Sequence, residues 1–133
     1  MKSKKLFVGT SGWDYRHWKK VFYPEDLITK DWFNYYSKKF SSVEINNTFY
    51  HLPDKKTIKD WKNKAPENFS YAIKASRYIT HMKKLKEPKH SVKNFIEIVQ
   101  QLGNKLGIIL FQLPPHWKNF VNKAGGMMKR MNY

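Results

Sequence analysis

Four short apolar runs divide the chain, and each has the length and the β-branched or aromatic content of a β-strand. They are Leu6–Thr10, Ser42–Asn46, Phe69–Ala75 and Gly107–Gln112. The segments between them are longer and carry apolar residues at helical spacing. The pattern therefore predicts an α/β protein with the order β-α-β-α-β-α-β.

The three predicted helices have recognisable starts and stops. Proline and acidic residues favour a first turn, a short polar side chain caps the first amide groups, and proline or glycine ends a helix. On these signals the helices run from Pro24 to Phe40, from an N-cap at Asp54 to Pro66, and from an N-cap at Ser91 to a C-cap at Gly103.

Strands that alternate with helices pair in parallel, because each crossover returns the chain to the same end of the sheet. The crossovers should be right-handed. Two closures fit this order: an open doubly wound sheet and part of a (β/α) barrel. The pattern of apolar positions alone leaves both open.

The composition is typical of an ordered domain in a reducing compartment. Hydrophobic residues make up 41% of the chain and aromatic residues 17%, and there is no cysteine for a disulfide or a thiolate metal site. No apolar run approaches the roughly 20 residues of a membrane span. The apolar stretch behind the basic start ends at Gly9, too early for a signal peptide. We therefore expect a soluble, cytoplasmic protein without a membrane partner.

The formal charge of +16 favours an anionic partner such as nucleic acid or a phosphorylated ligand. Only three of the 26 basic residues are arginine, the residue that bidentate phosphate and guanine recognition prefers: Arg16, Arg77 and Arg130. The lysines are scattered, mostly in pairs such as Lys19-Lys20. This scatter favours a solvated surface over a dedicated nucleic-acid footprint.

Long blocks of sequence between residues 6 and 117 carry a family resemblance. They include Val8-Gly-Thr-Ser-Gly-Trp-Asp-Tyr-Arg-His-Trp, Val43-Glu-Ile-Asn-Asn-Thr-Phe-Tyr-His-Leu-Pro, Phe69-Ser-Tyr-Ala-Ile-Lys-Ala-Ser-Arg and Leu110-Phe-Gln-Leu-Pro-Pro. In this order the blocks resemble the YecE-like family, domain of unknown function 72. The resemblance implies a TIM-type (β/α) barrel with no established reaction.

A complete (β/α)₈ barrel takes about 250 residues and eight strands, whereas this chain has 133 residues and four predicted strands. We assign residues 1–117 to the N-terminal half of a barrel and residues 118–133 to an irregular tail. A truncated or frameshifted reading frame explains this, and so does a half-barrel that pairs with itself or with a second polypeptide. On its own, such a fragment is expected to lack activity.

Candidate chemistry lies at the carboxyl ends of the predicted strands, where parallel sheets bind their ligands. Because side chains alternate along a strand, Glu44, Asn46, Lys74 and Gln112 are expected together in the lumen of a barrel. Glu44 and Lys74 lie on neighbouring strands, about 5 Å apart across the sheet. They are either an acid/base pair with mutually tuned pKa values or an inert structural ion pair.

Further candidates lie in the loops after the strands. The segment Gly9-Thr10-Ser11-Gly12 either exposes amide groups to an anion or forms a tight turn. Trp13 and Tyr50 either stack on a ligand or cap the core, and His81 follows the third strand. With Glu44 and Lys74 as catalytic candidates, the ligand-binding candidates are Thr10, Trp13, Asn46, Tyr50, His81 and Gln112. We expect a small anionic ligand, no cofactor and no metal site.

The charge pattern predicts only weak, sequence-blind binding to nucleic acid. Binding to labelled duplex or single-stranded DNA should be measurable at low salt and should fall linearly in a plot of log affinity against log salt. Fluorescence anisotropy across a salt series measures this slope. Submicromolar affinity at physiological salt, weakened by Trp13→Ala or Tyr50→Ala, would contradict the interpretation of a solvated surface.

Overall fold

The computed structural model describes residues 6–82, 88–113 and 115. Four strands, β1 (Gly9–Ser11), β2 (Ser42–Ile45), β3 (Ser70–Lys74) and β4 (Leu106–Leu110), form one sheet in the order β1-β2-β3-β4. Every pairing is parallel. The predicted parallel sheet is therefore confirmed. The predicted start of the first strand at Leu6 is wrong, because Leu6 and Val8 are exposed and precede the ladder.

In the part of the chain that the structure describes, four α-helices connect and flank the strands. They are α1 (Trp32–Ser37), α2 (Asn47–Tyr50), α3 (Lys55–Lys64) and α4 (Pro88–Val99). Short 3₁₀ segments cover Arg16–Trp18, Thr29–Asp31 and Gln100–Lys105, and a π-helical turn covers Tyr78–Met82. The sequence pattern did not predict α2 or the π-helical turn.

Helix α3 follows its sequence signals closely. The Asp54 carboxylate accepts a hydrogen bond from the Thr57 amide at 2.7 Å, and this bond lowers the pKa of Asp54. The helix ends at Lys64, two residues before Pro66. The predicted cap at Asp54 is thus confirmed.

Gly103 has a φ of 59°, in the left-handed region that favours glycine, and lies in the 3₁₀ segment that follows α4.

Two predicted helix starts are wrong. Pro24 accepts a single turn-closing hydrogen bond from the Leu27 amide, and Ile28 is extended, so regular helix begins only at Trp32. Ser91 lies inside α4, which begins at Pro88. Proline is tolerated in a first turn, because its missing amide hydrogen would have no partner there.

The core lies on one side of the sheet. On β2 and β3 the buried apolar side chains are Val43, Ile45, Tyr71 and Ile73, and they form one cluster with the buried apolar residues of the helices. The alternate positions, together with the end of β1 and the exposed positions of β4, form a second face that we call the open face. Ser42 and Ser70 occupy the first alternate positions, and the name refers to the residues beyond them: Ser11, Glu44, Ala72, Lys74, Ile108 and Leu110.

The open face is exposed along β4. Ile108 is 64% exposed and Leu110 38%, so no described helix covers this face. A doubly wound sheet would place helices on both faces and would change the strand order. Neither feature is found in residues 6–82 and 88–113. Within the same residues, no helix is both long and apolar enough to cross a membrane.

The Tyr36 hydroxyl of α1 joins the first two strands. It donates to the Ser42 carbonyl at 2.9 Å and accepts from the Thr10 amide at 2.8 Å. Burial raises the pKa of Tyr36 above its ordinary value of 10.0, so the hydroxyl keeps the proton that it donates. This group fixes β1, the shortest strand, to the helix layer.

We predict that Tyr36→Phe destabilises the fold by about 1–3 kcal/mol, because the buried Thr10 amide and Ser42 carbonyl both lose a partner. Chemical denaturation at one fixed protein concentration measures the change. Tyr35→Phe is the matched control, since this neighbouring ring is only partly buried. Equal effects of the two substitutions would show that the Tyr36 hydroxyl does not support β1.

Candidate functional site

A row of polar side chains crosses the carboxyl ends of β1 and β2. The Asn46 amide nitrogen donates to Ser11 Oγ at 2.5 Å, and Ser11 Oγ donates to Glu44 Oε1 at 3.2 Å. The register explains the contact, because Ser11 lies opposite Glu44 in the parallel ladder. We call these three residues, Ser11, Glu44 and Asn46, the polar row.

Asn46 is unusual among the described residues. Its side-chain oxygen Oδ1 is buried and has no hydrogen-bond partner. Buried acceptors are almost always satisfied, and an orphaned one calls for an explanation. The oxygen is therefore a position at which a donor from outside the described structure would be stabilised.

The turn after β1 holds Ser11 in place. Gly12 has a φ of 89°, and its amide donates to the carbonyls of Thr10 at 3.1 Å and Glu44 at 3.0 Å. The Tyr15 hydroxyl donates to the Ser11 carbonyl. The φ of 89° is a backbone conformation that residues with a Cβ rarely adopt, so this position favours glycine. The Gly12 amide is thus used within the turn and is not directed at a ligand.

Lys74 does not pair with Glu44, contrary to the expected ion pair. The register places Glu44 opposite Ala72, so Lys74 lies further along β3. Its ammonium nitrogen is 5.0 Å from the centre of the Phe49 ring, a cation–π contact. Ion pairs in the described part of the chain join other residues, Lys20 with Glu25 and Lys93 with Glu97.

Thr48 positions the polar row relative to Lys74. Its hydroxyl is fully buried and lies 2.7 Å from the Lys74 carbonyl and 3.0 Å from the Ile45 carbonyl. One hydroxyl therefore bridges the ends of β2 and β3 and fastens α2 against them. Asn46 immediately precedes α2, so its placement depends on this contact.

Two of the predicted ligand-binding residues take structural places instead. The Thr10 hydroxyl donates to the Gly12 carbonyl at 2.7 Å and lies 2.8 Å from the Tyr36 hydroxyl, on the helix side of the sheet. The Trp13 ring is half-buried and packs edge-on against Phe33 at 5.0 Å. Thr10 faces the helix layer, and Trp13 follows the turn at Gly12 and packs against Phe33, so neither residue is part of the polar row.

Tyr50 lies apart from the polar row, on the wall of a cleft. The ring is 64% exposed, and the cleft of about 480 Å³ lies between the end of α2, the residues after β3 and the first turns of α4. Its lining residues are Tyr50, His51, Leu52, Ser76, Tyr78, Ile79, His90, Ser91 and Asn94. His81 belongs to the π-helical turn, but its side chain is outside the described structure. Gln112 is exposed beyond β4.

The structure therefore brings together Glu44 and Asn46 and adds two side chains that were not among the candidates, Ser11 and Thr48. Ser11 was read as part of a loop, because the first strand was placed too early. Alternation counted from Thr10 would have placed Ser11 on the same face as Glu44. No sequence signal marked Thr48, since its role depends on the approach of β3.

We predict that Thr48→Val, which keeps the shape and removes the hydroxyl, lowers the free energy of unfolding by about 1–3 kcal/mol. The Ile45 and Lys74 carbonyls, at the ends of β2 and β3, would lose the single hydroxyl proton that they share. Denaturant unfolding at one fixed protein concentration measures the effect, with the exposed Thr29→Val as control. An effect no larger than that of Thr29→Val would show that Thr48 does not hold α2 in place.

A family model described as "Protein of unknown function DUF72" matches residues 7–129. Among curated relatives, the UPF0759 protein YunF of Bacillus subtilis is 25% identical over 116 residues, which is 83% of this chain and 40% of YunF. The UPF0759 protein YecE of Escherichia coli is 25% identical over 109 residues, 82% of this chain and 38% of YecE. This chain thus spans less than half the length of the curated relatives it matches.

Two solved structures are similar in fold. The DUF72 family protein TM1631 of Thermotoga maritima superimposes with a TM-score of 0.72 at 28% identity, over 93% of this chain and 50% of that protein. EF0366 of Enterococcus faecalis superimposes with a TM-score of 0.73 at 17% identity, over 93% of this chain and 45% of that protein. The latter likeness concerns the fold alone.

Proposed function

The chain belongs to the DUF72 family, which confirms the resemblance found in its sequence, and we propose that it forms half of a TIM-type barrel carrying part of a small-molecule site. Sequential parallel strands and helices packed on one face support the half-barrel. The solved relatives, of which this chain covers 45% to 50%, support it further.

The observation that carries the proposed site is the polar row with its orphaned acceptor. Asn46 Oδ1 is buried without a partner, and leaving such an oxygen unpaired costs about 1–3 kcal/mol. A ligand hydroxyl or amine would supply the missing donor. The row also lies at the carboxyl ends of the strands, where barrel enzymes bind their ligands.

Charge narrows the class of ligand. Lys74, on the next strand, is a cation that a carboxylate or phosphate group would approach, whereas Glu44 would repel one. A ligand with a hydroxyl near Asn46 and an anionic group near Lys74 satisfies the unpaired Asn46 oxygen and also the charges of Glu44 and Lys74. We propose a small hydroxylated carboxylate or phosphate, with Glu44 placed to exchange a proton with its hydroxyl.

The alternative of a nucleic-acid-binding module has less support. Of the two proposed stacking residues, Trp13 packs against Phe33, and only Tyr50 is largely exposed. Many lysines lie on the helices, and α3 exposes five: Lys55, Lys56, Lys59, Lys62 and Lys64. They form a solvated helical surface away from the polar row, which favours weak, sequence-blind binding.

We predict that glycerol phosphate or a hydroxy acid such as glycerate stabilises the protein against heat more than glycerol does at equal concentration and ionic strength. Glu44→Gln and Lys74→Met should each lower the affinity for this ligand at least ten-fold. Both should cost little stability, because Glu44 and Lys74 form no ion pair whose loss would leave a charge unpaired. Scanning fluorimetry followed by calorimetric titration measures both effects.

Controls remove the same charges elsewhere: Glu67→Gln and Lys59→Met change exposed side chains and should leave binding unchanged. A large drop in melting temperature for Glu44→Gln with unchanged ligand binding would show that Glu44 is structural. Equal loss of affinity in the site and control variants would show that binding follows net charge and would contradict the proposed site.

A further inference from the structure

The open face and the two outer strands together form an incomplete surface. Within the described residues, β1 and β4 are the edges of the sheet, and the β4 edge is apolar. Natural edge strands are usually protected by charge, proline or a covering element. Ile108 is instead 64% exposed beside this edge. A surface of this kind requires a partner that supplies both strands and apolar side chains.

We infer that a second copy of this chain covers the open face, with β4 of each copy lying beside β1 of the other. This inference rests on the half-barrel of the proposed function. Eight parallel strands would then close around a twofold axis, in an order that repeats β1-β2-β3-β4. No edge would remain, as in a closed barrel.

The parallel order of the sheet is what allows this closure. A twofold axis along the barrel keeps every strand parallel, and both edges are satisfied by the same pair of contacts. The solved relatives are about twice as long as the part that this chain covers, so their fold has room for a second half of similar size. A second copy is a partner of matching size and strand direction.

The charge distribution permits this contact despite the formal charge of +16. The open face contains one carboxylate, Glu44, and one ammonium, Lys74, so it carries no net charge. The exposed lysines of α3 belong to the helix layer on the other side of the sheet. Repulsion between distant lysines is screened over roughly 8 Å at physiological salt. The Ile108 and Leu110 side chains, in contrast, would contact the second copy directly.

The ligand site would be complete only in the dimer. Each copy would contribute its own polar row and Lys74 to one enclosed lumen, and the second copy would exclude water from the first. Electrostatic interactions strengthen when water is excluded. Ligand binding and dimer formation should therefore rise together with protein concentration.

Sedimentation velocity of the purified chain at physiological salt tests the inference. We expect a species of twice the 16.0 kDa chain mass at micromolar concentration. Ile108→Lys should reduce it to the monomer by placing two ammonium groups in the lumen. Val21→Lys makes a similar change at an apolar position that is 86% exposed outside the sheet, and it should leave the dimer intact.

Cross-linking distinguishes closure from open-ended stacking and remains informative if Ile108→Lys fails to fold. The chain has no cysteine, so Ser11→Cys and Ile108→Cys can be introduced together on β1 and β4. A short bis-maleimide should give a covalent dimer and nothing larger. A ladder of higher multiples, or a wild-type monomer with cooperative unfolding, would overturn the inference.

The two proposals fail in different ways. If the chain dimerises and cross-links as expected but glycerol phosphate and glycerate give no specific stabilisation, the proposed ligand is wrong and the dimer stands. If Ile108→Lys converts the dimer to a monomer that binds these ligands as tightly as the wild type, the dimer stands, but the site is complete in one copy and the inferred role of the second copy in it is wrong.

Discussion

The burial of only one face of the sheet is the constraint on which the rest of the structure depends. Val43, Ile45, Tyr71 and Ile73 meet the helices, so the alternate positions of β2 and β3 point away from them. A shift of the register by one residue would place Glu44 and Lys74 in the apolar core, which is costly for charged groups. The same alternation that buries the core side chains therefore places Ser11 and Glu44 of the polar row on the open face.

Much of the fold was predictable because period-two and helical patterns report burial directly. The four strands separated by helical segments, the parallel sheet and the Asp54 cap all follow from the sequence pattern, whereas α2 and the π-helical turn do not. The wrong starts share one cause: Leu6, Pro24 and Ser91 have suitable local chemistry, yet tertiary contacts decide whether it is used. Leu6 is apolar but has no described strand to pair with. Ser91 lies inside a helix that begins at Pro88 and therefore cannot be its N-cap.

The site was predictable only to the extent that alternation determines which face a side chain occupies. Alternation places Glu44 and Asn46 together, whereas the expected Glu44–Lys74 pair needs a register that only the folded sheet sets. Lys105 illustrates the same limit. This lysine is buried, and its ammonium group donates to the carbonyls of Pro66 and Glu67. No local pattern distinguishes it from the exposed lysines among the 26 basic residues.

The open face combines two unsatisfied features, and one event can relieve both. Beside its β1–β2 end, the neighbouring Asn46 has a buried amide oxygen without a donor in the described structure, and near β4 the face exposes Ile108 and Leu110 to water. Covering the face buries apolar area, worth roughly 25 cal/mol per Å². It also removes the water that screens Glu44 and Lys74, so their electrostatic effect on a bound ligand increases. In the dimer that we infer, stability and ligand recognition would be coupled, because the apolar contact that stabilises the covered sheet would also create the enclosed environment in which its polar side chains act most strongly.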